Sequence, residues 1–450
     1  MRKYFGTDGI RGTANVAPLD PESLVRLGKA IAAAFLQGSH KHRVLIGKDT
    51  RLSGYMIETA LAAGITSLGV DVMLTGPIPT PAVAYLTRSM RADAGIMISA
   101  SHNPYEDNGI KIFGADGYKL PDEVESRIES FFESQNFGEI VVKSTSIGKA
   151  TRIGDAVGRY TVFLKSHFPR EATLEGMKIG FDCANGAAYV VAPLTCQELG
   201  ADVVARGMSP NGRNINAGFG SLYPEVMQKL VLEQNLNIGV SLDGDGDRAI
   251  LVDENGVAHD GDTVLAICAI DMKEQGKLKN DVVVGTVMSN LGLEKLLSQH
   301  NIKLVRAAVG DRYVLEEMTK AGANLGGEQS GHTIFAESST TGDGILTALM
   351  VFSVMCRTGK TLSELAKPFV RFPQKLINIS VGSKPSFDTV PVVRDLIIKK
   401  EAELKNKGRI LVRYSGTENK ARVMVECESE DVCNKCASDI AEVIAKEIGI

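Results

Sequence analysis

The sequence predicts an α/β protein with three similar α/β units, which have mixed, mostly parallel sheets, followed by a small α+β domain. Two observations lead to this fold class. Short β-branched runs alternate with amphipathic helical stretches, as in crossover connections between parallel strands, and the alternation restarts twice along the chain. Near residue 369 the order changes to strand, helix, two adjacent strands and helix. The length of 450 residues fits two to four domains of about 100–200 residues each.

The elements of the three α/β units are predicted in chain order. The first unit has strands at 44–46, 70–74 and 94–98 and helices at 24–35 and 56–68. The second has strands at 178–181 and 238–242 and a helix at 187–199. The third has strands at 282–284 and around Leu304 and a helix at 291–300.

The C-terminal domain is predicted from a different pattern. Its elements are a strand at 376–381, a helix at 391–404, paired strands at 409–413 and 421–426, and a helix at 431–448. Pro391 suits the first turn of its helix, where the missing N–H is not needed. The domain boundaries that we predict are 1–155, 156–256, 257–368 and 369–450.

Composition and charge exclude several classes of protein. Hydrophobic residues make up 44%, charged residues 23%, and the net charge is −4. These values exclude a disordered chain and a strongly basic protein, so we expect neither nucleic acid nor a membrane as partner. The most apolar long window, 345–356, is shorter than the roughly 20 residues of a membrane span. No signal peptide is recognised, and seven scattered cysteines do not suggest a disulfide framework. We therefore expect a cytoplasmic location.

The first loop that could carry chemistry follows the strand at 94–98. Ser101 and His102 lie in a Ser-Ala-Ser-His-Asn-Pro run, and Lys111 follows in a second polar segment at 107–111. Ligands of open α/β sheets bind at the carboxyl ends of strands. Ser101 is therefore a candidate nucleophile, with Lys111 or His102 handling protons or charge. A simple capped turn is the alternative, and the G-x-S-x-G motif of serine hydrolases is absent.

The second loop alternates three carboxylates with two glycines, in the order Asp243, Gly244, Asp245, Gly246 and Asp247. Neighbouring carboxylates at about 4 Å repel by roughly 1–4 kcal/mol per pair unless a cation lies between them. Oxygen donors of this kind suit Mg²⁺, which keeps positions open for phosphate or water. A plain Asp/Gly turn is the alternative, whereas a calcium EF-hand loop is excluded because it needs glycine at the sixth position, where this chain has Arg248.

The third and fourth loops carry groups that suit hydroxyl groups and an anion, respectively. The third contains Glu328, Ser330 and His332, which can bind hydroxyl groups and move protons. The fourth is a Ser-Gly-Thr turn that resembles an anion nest, and its guanidinium groups suit phosphate. Its candidate residues are Arg413, Ser415, Gly416, Thr417 and Arg422. A polar turn is the alternative for each loop. P-loop and dinucleotide-binding motifs are absent.

Several motifs together resemble the α-D-phosphohexomutase superfamily over essentially the whole chain. They are Lys3-Tyr4-Phe5-Gly6-Thr7-Asp8-Gly9-Ile10-Arg11-Gly12, Ala100-Ser101-His102-Asn103-Pro104, the Asp243–Arg248 loop, Gly310-Asp311-Arg312-Tyr313-Val314, Gly327-Glu328-Gln329-Ser330-Gly331-His332 and Ser415-Gly416-Thr417-Glu418. The chain departs from the family at Asn419, where a proline is usual.

The resemblance implies four domains around a central cleft and a function in amino sugar metabolism. A phosphoserine at Ser101 would exchange its phosphoryl group with the substrate through glucosamine 1,6-bisphosphate. Glucosamine 6-phosphate and glucosamine 1-phosphate would be interconverted on the route to UDP-N-acetylglucosamine. One Mg²⁺ would bind Asp243, Asp245 and Asp247, with Ser101 as a further ligand.

The resemblance also implies roles for the remaining site residues. Lys111, Arg11 and Arg248 would add positive charge, and Lys111 and His332 would carry protons. Glu328 and Ser330 would hold sugar hydroxyls. The residues of the fourth loop would hold the phosphate that does not react.

Three alternatives remain open at this point. A phosphomonoesterase would share Ser101 and the three aspartates, a sister mutase would act on glucose or mannose phosphates, and a regulator would bind sugar phosphate without catalysis. We expect a small sugar phosphate as the partner and a monomer or homodimer.

Overall fold

Four sheets follow one another along the chain in a computed structural model, which describes residues 3–6, 8–134, 137, 142–415 and 419–450, all but Asn406 with side chains. The strands of each sheet come from one continuous stretch of sequence. Gly416, Thr417 and Glu418, which the sequence places in the anion-binding turn, lie outside the described residues.

The first unit has a six-stranded sheet in the order β1-β5-β4-β2-β3-β6. Strands β2, β3, β4 and β6 run parallel, whereas β5 is antiparallel to both β4 and β1. The elements are β1 (Ile10–Thr13), α1 (Pro21–Phe35), β2 (Arg43–Lys48), α2 (Ser53–Thr66), β3 (Asp71–Pro77), α3 (Thr80–Ser89), β4 (Ala94–Ile98), β5 (Asp107–Gly114), α4 (Asp122–Ser134) and β6 (Ala150–Arg152).

The second unit has a five-stranded sheet in the order β11-β10-β9-β7-β8, in which β7, β8 and β9 are parallel and β10 is antiparallel to both of its neighbours. The elements are α5 (Ala156–Ser166), β7 (Lys178–Asp182), α6 (Val191–Glu198), β8 (Asp202–Arg206), α7 (Pro224–Gln234), β9 (Ile238–Leu242), β10 (Ala249–Asp253) and β11 (Ala258–His259).

The third unit has a four-stranded sheet in the order β13-β12-β14-β15, antiparallel only between β14 and β15. The elements are α8 (Gly261–Glu274), β12 (Val282–Thr286), α9 (Leu291–Gln299), β13 (Lys303–Ala307), α10 (Asp311–Ala321), β14 (Leu325–Gly327), β15 (Thr333–Phe335), α11 (Gly344–Thr358) and α12 (Leu362–Ala366). The most apolar window of the sequence falls within α11, which is a buried helix.

The fourth unit has an antiparallel three-stranded sheet in the order β16-β18-β17, with α14 packed on β16 and β18. The elements are β16 (Gln374–Ser380), α13 (Pro391–Leu404), β17 (Gly408–Tyr414), β18 (Lys420–Cys427) and α14 (Glu430–Ile448). Cys427, Cys433 and Cys436 are buried in the core of this unit. Among the described helices, none combines the length and the apolar character of a membrane span.

The first three units share one hydrophobic core. A continuous cluster of buried side chains includes Leu86, Phe181 and Phe352, one from each unit. Helix α11 contacts α5, β9 and β10 of the second unit as well as α8 of its own unit. Loops of these three units are therefore held in fixed positions relative to one another.

The fourth unit has a separate core and joins the third through a buried carboxylate. Glu426 on β18 accepts hydrogen bonds from the backbone N–H of Leu291 at 3.1 Å and from Nε of Arg409 at 2.5 Å. The first of these donors lies at the N-terminus of α9, where the helix dipole favours a negative charge. Arg409 in turn donates to the backbone oxygens of Val287 and Ser289.

The predicted fold class is confirmed, and three local predictions need correction. The segment at 107–111 was predicted as a loop but begins strand β5, because pairing with both β4 and β1 outweighs its turn-forming Asp, Asn and Gly. Helix α6 begins at Val191 rather than 187, because residues 187–190 form a turn in which the backbone N–H of Ala187 bonds to Gly244 of the neighbouring loop at 2.8 Å. The third loop is predicted from the sequence to open at Gly326, but Gly326 and Gly327 end strand β14.

Candidate active site

Ser101 lies in a strained backbone position directly after strand β4. Its φ angle is 52°, which falls in the left-handed region that L-residues other than Asn and Asp rarely adopt. Its side chain is buried, and its Oγ donates to Oδ2 of Asp243 at 2.7 Å. Backbone strain of this kind costs of order 1–3 kcal/mol and persists only where the surroundings enforce it.

Two side chains from neighbouring loops hold the Ser101 backbone in place. The carbonyl oxygen of Ser101 accepts from Nη2 of Arg51 at 3.2 Å and from Nδ2 of Asn216 at 2.9 Å. The same two donors reach the carbonyl oxygen of Asn103 at 2.5 and 3.1 Å. Gly244 packs so closely that a Cβ there would lie 2.6 Å from the Ser101 oxygen. The loop of the second unit therefore requires glycine at this contact.

The three aspartates of the second loop converge beside Ser101. Asp243, Asp245 and Asp247 each offer a carboxylate oxygen, and these oxygens lie within 4.8 Å of one another. All three side chains are buried. Thr80, at the start of α3, donates its hydroxyl to Oδ2 of Asp245 at 2.6 Å. The metal ligands that the sequence predicts are therefore brought together.

Lys111 on β5 supplies a positive charge to this cluster. Its Nζ lies 2.9 Å from Oδ2 of Asp245 and 3.4 Å from Oδ2 of Asp247. Burial would lower the pKa of Lys111, but the carboxylates of Asp245, Asp8 and Asp247 raise it well above its ordinary value. Burial, together with the charges of Asp247 and Asp245, raises the pKa of Asp243.

The chemistry of the aspartate cluster fits a divalent cation. Oδ1 of Asp245 and Oδ1 of Asp247 are buried without a hydrogen-bond partner among the described residues. Buried polar atoms of native proteins almost always have a partner, and three carboxylates in one place repel each other. Hard oxygen donors with few other protein ligands suit Mg²⁺. The residues present therefore fit the predicted metal.

Glu328 and His332 face this cluster from the third unit. Oε1 of Glu328 accepts from the backbone N–H of Gly310 at 2.9 Å, and Oε2 lies 3.5 Å from the Ser330 hydroxyl. His332 Nδ1 lies 3.7 Å from Oδ2 of Asp247, and its Nε2 accepts from the backbone N–H of Gly342 at 3.1 Å. That hydrogen bond orients the imidazole, with Nδ1 turned toward the aspartates.

His102 lies between Ser101 and two guanidinium groups. Its Nδ1 is 3.2 Å from the Ser101 Oγ. Burial, followed by the charges of Arg248 and Arg11, lowers the pKa of His102 to about 4. The imidazole is therefore neutral near pH 7. The backbone N–H of Arg248 also donates to Oδ1 of Asp243 at 3.2 Å.

A chain of alternating charges connects the first and third units at this site. Asp8 pairs with Arg11 and with Lys119, and Lys119 also pairs with Asp311 at 2.5 Å. Oδ2 of Asp311 lies 3.7 Å from Nε2 of His332. Burial raises the pKa of Asp8, but Lys111, Lys119 and Arg11 together bring it below its ordinary value. Lys119 thus bridges two units through ion pairs.

A cavity of about 430 Å³ lies beside the Ser101 and aspartate cluster, and some of these groups line it. Its walls come from three units: Asp8, Arg11 and His102 from the first, Asp247 and Arg248 from the second, and Glu328 and His332 from the third. The volume lies within the range of roughly 300–1,000 Å³ that small-ligand pockets occupy. Positive and negative groups both line it.

The candidate phosphate-binding hairpin of the fourth unit is separate from this cavity. Within the described part of the chain, no residue beyond 368 lines the cavity. Arg413 on β17 lies directly opposite Arg422 on β18, and burial together with the charge of Arg422 lowers the pKa of Arg413. Ser415 is held by Lys384, whose Nζ donates to its carbonyl oxygen at 2.9 Å.

Several residues of the site were missed by the sequence analysis. Arg51 and Thr80 follow strands β2 and β3, so the carboxyl-end rule that identified Ser101 could have found them. Asp8 and Asp311 lie within motifs that carry the family resemblance but received no role. Lys119 has no recognisable sequence signal, because its partners are 111 and 192 residues away.

Four family models match the chain in sequence order. Their descriptions are phosphoglucomutase/phosphomannomutase, alpha/beta/alpha domain I over residues 2–139, domain II over 159–256, domain III over 260–372, and the C-terminal domain over 376–443. Together these ranges include most of the chain.

Two relatives match the chain along its length. A phosphoglucosamine mutase from Geobacter metallireducens is 55% identical over 449 residues and covers 100% of both chains. A phosphoglucosamine mutase from Myxococcus xanthus is 54% identical over 449 residues, covering 100% of this chain and 98% of the relative.

Solved structures share the fold at lower sequence identity. A phosphoglucomutase/phosphomannomutase family protein from Burkholderia thailandensis has a TM-score of 0.81 at 21% identity and covers 100% of both chains. An N-acetylphosphoglucosamine mutase from Aspergillus fumigatus, in complex with GlcNAc-6P and magnesium, has a TM-score of 0.64 at 18% identity. That alignment covers 99% of this chain and 96% of that chain.

Proposed function

The chain belongs to the phosphoglucomutase/phosphomannomutase family, and we propose that it interconverts glucosamine 6-phosphate and glucosamine 1-phosphate, the activity of a phosphoglucosamine mutase. One observation of the site carries the chemistry. The Ser101 hydroxyl lies 2.7 Å from Asp243, within a cluster of three buried carboxylates. Identity of 55% to a phosphoglucosamine mutase along the full length supports the choice of an amino sugar substrate.

The proposed reaction is two phosphoryl transfers at one serine. In the first, the bond between phosphorus and the Ser101 Oγ breaks while a bond forms to the free hydroxyl of the substrate. The proton of that hydroxyl passes to one of the residues assigned below to proton transfer, and the released Ser101 Oγ takes up a proton. The product is glucosamine 1,6-bisphosphate. After the sugar turns over, its other phosphoryl group returns to the Ser101 Oγ, which regenerates the phosphoserine and releases the isomeric monophosphate.

The side chains around the cavity have separate parts in this proposal. Mg²⁺ held by Asp243, Asp245, Asp247 and Ser101 would supply positive charge to the phosphoryl group during transfer. Arg11 and Arg248 add further positive charge at the cavity wall, and Lys111 adds it from beside Asp245 and Asp247. Lys111 and His332 are assigned to proton transfer, with His102 beside Ser101. Glu328 and Ser330 bind the sugar hydroxyls or the amino group.

The fourth unit completes the proposal as a phosphate clamp. The phosphate that does not react is assigned to Arg413, Ser415, Gly416, Thr417 and Arg422. Two guanidinium groups directly opposite each other repel unless an anion lies between them, and the position of Arg413 opposite Arg422 supports this assignment. Closure of this unit over the cavity would exclude water, which would otherwise hydrolyse the phosphoserine.

Three further features belong to the proposal and rest on the sequence. They are the division of the chain at 155, 256 and 368, a cytoplasmic location, and a monomeric or homodimeric state. Four separate sheets support the division.

A direct comparison of substrates tests the proposed function. We expect kcat/KM for glucosamine 6-phosphate to exceed that for glucose 6-phosphate by roughly tenfold or more, since charge-assisted hydrogen bonds contribute about 1.5–3 kcal/mol against 0.5–1.5 kcal/mol for neutral ones. Glu328, which lines the cavity, can provide such a bond to the ammonium group. The measurement is a coupled assay with glucosamine, glucose and mannose phosphates.

The same assay separates the open alternatives. Equal kcat/KM for the glucosamine and glucose substrates would contradict the amino sugar assignment and favour a sister mutase. Release of inorganic phosphate without isomerisation would indicate a phosphomonoesterase. Glu328→Gln should reduce the preference for the amino sugar more than it reduces turnover of glucose 6-phosphate.

Arg413→Ala tests the phosphate clamp. The change removes up to two charge-assisted hydrogen bonds of roughly 1.5–3 kcal/mol each, so kcat/KM should fall by roughly tenfold or more. The decrease should be similar in both reaction directions. In each direction the reacting end of the sugar must face Ser101, so the phosphate at the opposite end of the sugar always occupies the same clamp. Steady-state kinetics in each direction provide the measurement.

The control for this variant is Arg394→Ala, which removes an exposed arginine from helix α13 of the same unit and should leave the kinetics unchanged. Phosphorylation of Ser101 should persist in Arg413→Ala, since the two residues lie on different units. A defect in one direction alone would show that the clamp recognises only one isomer.

A further inference from the structure

A second group of potential metal ligands lies at the other edge of the first sheet. His40 and His42 precede β2, and Asp93 precedes β4. These two strands are adjacent and parallel, so the three residues meet at their amino ends. Ser101 follows the carboxyl end of β4. The two groups of ligands are thus separated by the length of the strands.

The side chains of this group converge on one carboxylate oxygen. Oδ1 of Asp93 lies 2.6 Å from Nε2 of His40 and 3.3 Å from Nδ1 of His42. The other oxygen, Oδ2, accepts a hydrogen bond from the backbone N–H of Arg43 at 2.7 Å. This bond fixes the carboxylate and leaves Oδ1 directed at the imidazoles. All three ligand atoms lie within 4.8 Å of one another.

A separate observation indicates that this group is incomplete. His42 is only 8% exposed, and its Nδ1, although 3.3 Å from Oδ1 of Asp93, has the geometry of a hydrogen bond to no residue that the structure describes. A buried nitrogen without a well-aligned hydrogen bond costs up to roughly 1–3 kcal/mol. Its lone pair or proton points into the space that it shares with Asp93 and His40.

We propose that His40, His42 and Asp93 form a binding site for a divalent transition-metal ion of the Zn²⁺ type, distinct from the aspartate cluster. Imidazole nitrogens with one carboxylate suit Zn²⁺ and its neighbours, whereas Mg²⁺ takes oxygen ligands. The two sites of this chain therefore select different metals through the hardness of their ligands.

The two distances between Asp93 and the histidine nitrogens agree with tetrahedral coordination after a small movement of the His40 side chain. Zn²⁺ bonds of about 2.0–2.1 Å to nitrogen and oxygen place neighbouring ligand atoms ~3.4 Å apart. The His42 to Asp93 distance of 3.3 Å already matches this value. The His40 to Asp93 distance of 2.6 Å must widen by ~0.8 Å, and the His40 side chain, which packs on the His42 ring, is 59% exposed and so has room to move on its solvent side. Solvent supplies the fourth ligand on that side.

The site is expected to stabilise the first unit rather than to take part in catalysis. A bound metal would connect the segment before β2 to the start of β4, and any ligand that binds only the folded state raises its stability. Activity measured with Mg²⁺ should not depend on it.

The test is titration of the full-length protein with Zn²⁺ and with Co²⁺ in the presence of saturating Mg²⁺. We expect one equivalent of Zn²⁺ to bind and to raise the melting temperature. Co²⁺ should give the visible absorption of tetrahedral nitrogen and oxygen ligation, without a thiolate charge-transfer band. His40→Gln should weaken Zn²⁺ binding by at least roughly tenfold and remove the thermal shift, and Asp93→Asn should act in the same direction.

Two controls locate the ion. His300→Gln changes another exposed histidine and should bind Zn²⁺ as the wild type does. Asp243→Asn changes the aspartate cluster and should also retain this binding. Unchanged Zn²⁺ affinity in His40→Gln, a cobalt–thiolate band, or no binding in the presence of Mg²⁺ would each overturn the proposal.

Discussion

Ser101→Ala is expected to lower the turnover number by roughly 10⁴-fold or more. The proposed covalent intermediate forms on the serine oxygen, and alanine has no nucleophilic atom at that position. The variant lacks the Oγ that accepts the phosphoryl group in the proposed reaction. Peptide mass spectrometry should find phosphate on the Ser101 peptide of the wild type and none on that of the variant. Turnover near the wild-type rate would contradict the mechanism.

Ser101→Gly separates the loss of the nucleophile from any effect on folding. Because the φ angle at this position is 52°, glycine adopts the backbone without strain, whereas alanine keeps a steric cost of roughly 1–2 kcal/mol. The glycine variant should therefore be more stable than the alanine variant by about 1 kcal/mol and equally inactive. Denaturant unfolding provides the measurement.

The matched control is Ser89→Ala, which removes an exposed hydroxyl at the end of α3 in the same unit. It should leave turnover, phosphorylation and stability unchanged. If the alanine variant of Ser101 were inactive because it did not fold, its unfolding transition would be lost as well.

Asp243→Asn is expected to have opposite effects on catalysis and on stability. Metal ions stabilise the charge of a transferring phosphoryl group by several kcal/mol, so loss of one ligand should reduce kcat/KM by roughly 100-fold or more. In the absence of metal, however, the variant should be as stable as the wild type or more stable. It removes one of three carboxylates that repel one another. The repulsion energy of each pair is roughly 1–4 kcal/mol at about 4 Å, and it lowers the stability of the folded state.

Steady-state kinetics measure the effect on catalysis, and thermal unfolding with and without Mg²⁺ measures the effect on stability. At a concentration of 100 times the dissociation constant, a ligand adds about 2.7 kcal/mol to the free energy of unfolding. The wild type should show a stabilisation of this size, and Asp243→Asn should show much less. Removal of metal with EDTA should likewise abolish wild-type activity.

Asp202→Asn is the control, because it removes the same charge from an exposed position at the start of β8 in the same unit. It should retain both activity and the response to Mg²⁺. Full activity of the wild type in EDTA would refute the metal assignment, and a variant of Asp243 with the wild-type response to Mg²⁺ would exclude this carboxylate as a ligand.

The sequence predicted the fold class and the loops that approach the site, because these depend on local patterns. Alternation of apolar runs with amphipathic stretches depends on which face of each element is buried, and the exact bounds of β4, β9 and α13 show that this signal was strong. Gly-rich polar loops after the strands were recognisable for the same reason. The predicted aspartate cluster does converge beside Ser101.

Contacts between distant segments could be found only in the tertiary structure. Strand β5 was missed because its turn-forming residues are stabilised by two neighbouring strands. Arg51 and Asn216 support the strained Ser101 backbone from 50 and 115 residues away. Local periodicity contains no information about such pairs, since they depend on how complete units dock.

Residue types and their order along the chain thus predict the α/β architecture, the nucleophile candidate and the candidate metal-binding carboxylates. The docking of three units on one continuous core decides which charges meet, and Lys119 illustrates this by bridging Asp8 and Asp311. The physical reason is one of range. Propensity and burial pattern act over a few residues, whereas electrostatic and hydrogen-bond partners are selected by proximity in space, which only packing of the folded chain creates.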